Sequence, residues 1–298
     1  MRFAAVVVGL VLGIWSSVCL SSAVARDIFV NNVLGDDRRG GTMAAVGDEG
    51  TGPCRSIAKA LRIACPGDHI VVANTGQPYR ESITVQGPRH SGIDRFPTII
   101  RGNGATLDGS MSMAEVVWEF AGDGMFRTRP IAKSFQQVFL AGAPLVRRQP
   151  LVGEFPKLAA REWCLFRGWI YFGVDAGRLP EDYELSCCGE QVGITLYNVH
   201  DLFIEDLNVR GFWLDGVNCH DNVSRADLLR ISAKENGRSG FSVGGWSKVR
   251  IDTSSAAGNG AAQVRLEGVC QVQLLDTVLD ETTAPAVVRE GGRIVAGE

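Results

Sequence analysis

The sequence predicts an all-β solenoid, a stack of short coils around one shared apolar interior. Three observations predict it. Between residues 192 and 292 the triplets Ile194-Thr195-Leu196, Val217-Asn218-Cys219, Phe241-Ser242-Val243, Val264-Arg265-Leu266 and Val287-Val288-Arg289 recur at steps of 23, 24, 23 and 23 residues. A second series, Ile204, Leu228, Ile251 and Leu274, keeps the same beat with steps of 24, 23 and 23. The chain also carries 36 glycines in 298 residues, which suits many tight corners between short strands. A self-similar period of this size marks a repeat architecture, in which one coil cannot bury its apolar face alone and stacked coils can.

In chain order, residues 1–25 read as an export leader. Arg2 gives a positive start, an apolar run follows from Phe3 to Trp15, and Ala23-Val24-Ala25 is a small-x-small cleavage site before Arg26. The run is short for a membrane anchor, and nothing after cleavage is apolar enough to span a bilayer. Export permits disulfides, and Cys54 and Cys65 flank a segment that reads as a helix. A bridge pinning its two ends is expected. Cys187 and Cys188 are offered as partners for Cys164, and Cys219 is expected inside the coils as a small apolar residue. The helix is read from Ile57, Ala60, Leu61 and Ala64 at i, i+3, i+4 and i+7, and Pro66-Gly67 stops it. Short strands follow at Ile28-Val30, His69-Val72, Ile83-Val85, Thr98-Ile100 and Ala105-Leu107, counting the one that precedes the helix.

These residues bear a family likeness. Ile28-Phe29-Val30-Asn31, Gly35-Asp36-Asp37, Gly52-Pro53-Cys54, Ala60-Leu61, Pro66-Gly67-Asp68, Tyr79-Arg80-Glu81 and Leu107-Asp108-Gly109 resemble, in that order, the opening of exported bacterial right-handed parallel β-helix proteins of the pectate-lyase-like group. The resemblance implies that the helix caps the open end of the β-helix and that the Pro-Gly-Asp turn leads into the first coil. It implies little about activity, since the group holds polysaccharide lyases, glycosidases, epimerases and proteins of no known activity.

Residues 26–110 are thus expected to form the cap and first coil. Residues 111–188 break the beat with aromatic strands around Trp118-Phe120, Met125-Arg127, Gln137-Leu140, Cys164-Phe166 and Trp169-Phe172, and read as a β-rich insertion packed on the side of the helix. Residues 189–298 carry the repeats. Within each repeat two residues, such as Glu205-Asp206 or Asp252-Thr253, make a bend between two strands. Asn236-Gly237 and Asn259-Gly260 fall 23 apart. Their asparagines are expected to stack as a hydrogen-bonded ladder, with glycine supplying a positive φ. The charge at Arg289, in an apolar column, suggests that order fades before Glu298.

The formal net charge is −3, and no basic stripe is present, which argues against a nucleic-acid partner. There is no HExxH, phosphate loop, CxxC or G-x-S-x-G, and His69, His90, His200 and His220 lack metal-ligand spacing. Asp36-Asp37 resembles a loop for calcium. Sites on a solenoid are built instead from outward columns. The steps place Asn218, Ser242 and Arg265 in one such column, and His220, Gly244 and Glu267 in another. Asp215, Asp221, Lys234 and Arg238 lie near them in sequence, and Trp246 offers an aromatic stacking face.

Two enzymatic readings follow. A glycosidase would pair Asp215 or Asp221 with Glu267. A lyase would pair His220 with Arg265 or Lys234. The alternative is a non-catalytic binding or surface-structural module, favoured by the small or apolar outward residues Ser242, Gly244 and Val288. All three readings take a polysaccharide or surface glycan as the natural partner.

Overall fold

The computed structural model describes residues 25–48, 50–151 and 154–296. The expected leader therefore lies outside the described residues, apart from Ala25. No helix among them is long and apolar enough to cross a membrane.

The repeats wind into a parallel β-helix. One 14-stranded sheet, parallel throughout, coils on itself. Its front run stacks Ile83–Gln86, Ile194–Tyr197, Asp215–Cys219 and Ser239–Val243, then the first parts of Ala262–Leu275 and Val287–Val295. Its back run stacks Asp27–Val30, His69–Val72, Thr98–Asp108, His200–Arg210, Ser224–Lys234 and Lys248–Asp252, and takes in the later parts of the same two long strands. Register follows the 23–24 residue beat from Ile204 through Leu228 and Ile251 to Leu274, and Ile100, 104 residues before Ile204, pairs with it across the insertion. All of these but Leu274 are fully buried, and each such side chain contributes roughly 1.5–3 kcal/mol. Cys219 lies in the same interior. The last coil remains a regular strand through Val295, so the charge at Arg289 does not end the order there.

The bend within each coil depends on a left-handed residue. Asn103, Asp206, Arg230, Thr253 and Asp276 all have φ between 41° and 56°. Asn and Asp tolerate this region best; Arg230 is held there by ion pairs to Asp206 (2.6 Å) and Glu205 (2.9 Å) of the coil below. A second ion pair crosses coils at another corner. Arg225 donates to both oxygens of the buried Asp201 at 2.6 and 2.7 Å, and His200 lies 2.7 Å from it.

The expected asparagine ladder forms. The Asn236 side chain accepts from Phe212 N–H and donates to Asn259 Oδ1 (3.1 Å), which also accepts from Asn236 N–H. Asn259 in turn donates to the Ala233 carbonyl. The glycines serve a different purpose from the one expected. Positive φ falls two residues before these glycines, at Glu235 and Gly258. Gly237 is required by space: a Cβ there would sit 1.3 Å from the Phe135 carbonyl oxygen.

Ile57–Ile63 forms the helix and lays Ile57, Ala60 and Leu61 against the first coils. Ser56 caps it, Glu81 accepts from Ile57 and Ala58 N–H, and Asp37 accepts from Arg55 and Ser56. Asp37 is thereby spent on the helix start, while Asp36 holds Arg38. The expected Cys54–Cys65 bridge is absent; both thiols are free. Seven helical residues alone span about 10 Å, and a disulfide tolerates less than about 7 Å between Cα atoms. Cys54 is buried beside the Arg39 carbonyl, whereas Cys65 is exposed near Arg26. Cys164, Cys187 and Cys188 are also free and buried, with Cys164 in a different sheet from the other two. Burial pushes the Cys164 and Cys187 thiols up to about 11 and about 12, so they are inert.

From Ser110 to Cys188 the chain builds two further sheets. One has five strands, Val146–Arg147, Glu162–Phe166, Trp169–Gly173, Met125–Thr128 and Glu119–Gly122 in spatial order. The other has four: Ser110–Ser112, Leu185–Cys188, Val138–Leu140 and Ala143–Pro144. They share their own core around Trp163, Ile170 and Phe172. This unit meets the ladder corner through Phe135 at Gly237 and through Gln137, which donates to the Gly258 carbonyl at 3.1 Å.

Two outcomes are expected. Asn236→Ala leaves the buried Phe212 N–H and Val209 carbonyl without their partner, at about 1–3 kcal/mol each; thermal melting should show a clear loss, and an unchanged melting temperature would refute the role of the ladder. The guanidinium of Arg225 holds the Asp201 carboxyl down to about 2. A lowered folded value means that its stabilisation is present above the ordinary carboxylate range near 4 and is lost as pH falls toward 2. An Asp201→Asn protein, melted across that window, should lose less stability with acid than the parent.

Candidate functional site

The outward residues of the front run are set by strand register. Thr84, Thr195, Asn218, Ser242, Arg265 and Val288 are successive partners, so the first expected column exists. Two residues further along, Tyr197 pairs with Gln86 and Glu267 with Glu290. His220 follows its strand and stacks on Tyr197, with ring centroids 5.9 Å apart and planes at 23°.

Asp215 opens its strand and is completely buried. Its carboxylate accepts four hydrogen bonds: from Arg238 Nε (3.0 Å) and Nη2 (2.6 Å), Asn218 Nδ2 (2.9 Å) and Ser239 Oγ. A carboxylate offers about four lone-pair sites, so this one is saturated. Arg238 comes from the next coil and covers it, with its own side chain only 18% exposed. Asp215 therefore joins two coils and has neither room nor free capacity to act as a general acid or base.

Arg265 occupies the next part of the column and is gripped by Glu267 of its own coil and Glu290 of the coil after. Arg238 also lies within the field of both glutamates. Asp221 is a turn acceptor: its Oδ1 receives Trp246 N–H at 3.4 Å, and a Cβ at Gly245 would meet that oxygen at 2.2 Å. The same turn lifts the Trp246 ring into solvent, 75% exposed. Lys234 stands apart. It ends Ser224–Lys234 beside Arg210 and Ala257, on the stretch before the ladder corner and off the front face.

The structure thus brings Asn218 and Arg238 onto Asp215, sets the Arg265–Glu267 pair further along the column within the field of Arg238, and lines one edge with Tyr197, His220 and Trp246. Each proposed carboxylate is already a partner, Asp215 and Glu267 of an arginine and Asp221 of a backbone N–H. Tyr197 and Glu290 escaped sequence reading. The signal for both was present, since each lies 23 residues from a residue already chosen, His220 and Glu267. Among the described residues no group of three or more His, Cys, Asp or Glu is disposed to hold a metal.

No family model matches the chain, and no curated protein sequence does. Solved structures similar to it include XylC in complex with xylose, at 12% identity and TM-score 0.44, covering 90% of this chain and 68% of that one. A glycoside hydrolase is similar at 11% identity and TM-score 0.49, covering 85% and 74%. Pectate lyase Pel9A is similar at 12% identity and TM-score 0.32, covering 91% and 79%.

Removing the Asp215 carboxylate strands a half-buried guanidinium. Asp215→Ala is expected to cost about 3–5 kcal/mol, the range for breaking a buried pair. Thermal melting would show it, and a loss of ligand binding at unchanged stability would instead mark Asp215 as a contact residue.

Proposed function

We propose that this chain is an exported, carbohydrate-binding β-helix protein whose front face holds a glycan without cleaving it. One observation carries the reading. The acids that hydrolysis would need are consumed by partners within the chain, while an exposed aromatic edge stands beside them. A glycosidase requires two carboxylates free to exchange protons, and Asp215 and Glu267 are neutralised by Arg238 and Arg265. A sugar ring instead needs an apolar plane for its C–H face and fixed donors and acceptors for its hydroxyls. Tyr197 with His220, and Trp246 one coil further, supply the planes. Asn218 and the Arg265–Glu267 pair supply the polar contacts. Adjacent coils are about 4.8 Å apart, so neighbouring sugar units of one chain can meet successive coils. The leader sequence supports export to the periplasm, cell surface or medium.

The test is a panel of plant, algal and animal polysaccharides offered to the protein from Arg26 onward, with and without calcium. Binding is expected to at least one, with no unsaturated-product absorbance and no new reducing ends. Trp246→Ala should weaken that binding at least about tenfold, a loss of about 1.4 kcal/mol. Turnover of any polysaccharide would replace this reading with an enzymatic one, and binding to none would remove it.

A further inference from the structure

The back run carries a groove of about 500 Å³. Its floor is an outward column of successive register partners, Phe203, Asp227, Arg250 and Gln273, one from each of four coils. Arg225, Lys248 and Gln271 run beside that column, and the loop at Asp94 and Pro97 forms a wall. None of these residues belongs to a motif, yet they recur at the same 23–24 residue step.

The groups in this groove divide into committed and uncommitted. Arg225 is held by Asp201, and Arg250 by Asp252. Among the described residues, Asp227 and Lys248 have no ion pair, and the side-chain amides of Gln271 and Gln273 make no hydrogen bond. Burial pushes the Asp227 carboxyl above its ordinary range, so it has lost part of its hydration without gaining a partner. Phe203 presents a ring 37% exposed at one end of the column.

We propose that this groove is a second binding site, and that it takes a neutral oligosaccharide laid across the coils. The ligand class rests on the carbohydrate reading of the front face; the site itself rests on its own geometry. The uncommitted groups are Asp227 on the floor, Asp94 on the wall, Lys248 beside the column, two amides that each donate and accept, and an aromatic ring. That set matches hydroxyls and C–H faces. It does not match a polyanion, because a single uncommitted lysine cannot neutralise a run of phosphates or sulfates. An apolar segment would cover Asp227 and Lys248 without giving either a partner, which costs free energy. A hydroxyl donated to Asp227 would supply the partner that the folded chain lacks.

Calorimetric titration with an oligosaccharide of the polymer found to bind decides it. The parent is expected to show two sites per chain. Trp246→Ala should leave one, and Phe203→Ala or Asp227→Ala should leave the other, weakening the groove at least tenfold. Gln273→Ala, on a separate coil, gives an independent reading should Phe203→Ala melt early. A single site that survives all three groove variants and is lost in Trp246→Ala would overturn this inference and leave the front-face function standing. A single site lost in the groove variants and kept in Trp246→Ala would do the reverse. No binding by the parent to any glycan in the panel would remove both.

Discussion

Everything in this molecule depends on coils of equal height. A parallel β-helix satisfies its backbone only if each strand finds its hydrogen-bond partners directly above and below. One coil that rises too far breaks pairing for itself and both neighbours. Three repeated devices hold the height constant. Left-handed residues at 206, 230, 253 and 276 turn the chain at the same point in each coil. The Asn236–Asn259 ladder fixes the opposite corner, using side chains to satisfy backbone groups that a tight turn would otherwise leave unpaired. Stacked inward columns then fill the interior at one radius.

That regularity governs where anything else can attach. The two small sheets between Ser110 and Cys188 do not extend the coiled sheet; they have a separate core and meet the coils at the ladder corner. Gly237 and Gly258 leave space and an open carbonyl at that corner, which Phe135 and Gln137 use. The front face is therefore bounded on the ladder side by a fixed wall, and its opposite edge, at Tyr197, His220 and Trp246, faces solvent.

The winding of the second half was legible because burial repeats with the coil, and Ile204, Leu228, Ile251 and Leu274 are spaced by it. The column Asn218, Ser242 and Arg265 was legible for the same reason. What those side chains touch was not. Spacing gives the height of a residue in the stack but not the direction of a long side chain, so Arg238 folding over Asp215 and Glu290 reaching Arg265 had no local signature. The same limit applied to Cys54 and Cys65, whose separation along the chain suggested a clasp that the rise of the helix forbids. The sheets from Ser110 to Cys188 were harder still. Ser110–Ser112 pairs with Leu185–Cys188, some seventy residues away, and no period links the two.

The outward positions are the only ones the stacking leaves free, and the chain has spent them in two ways. On the front run it uses arginine and carboxylate to cross from coil to coil, at Asp215–Arg238 and at Arg265 with Glu290. Such pairs strengthen the stack because each joins residues about two dozen positions apart, but a carboxylate that neutralises a neighbour's charge is a poor proton carrier. Glycoside hydrolysis by a pair of carboxylates would need one acid withheld from pairing. Among the front-face carboxylates here none is withheld: Asp215, Glu267 and Glu290 each meet a guanidinium, and Asp221 meets a turn N–H. The unpaired acid with a raised pKa lies on the other side of the stack, at Asp227, with Lys248 and two amides as its neighbours in the groove. The stability of the front face and the openness of the back groove are thus two results of one choice, namely which outward columns the coils use to hold one another.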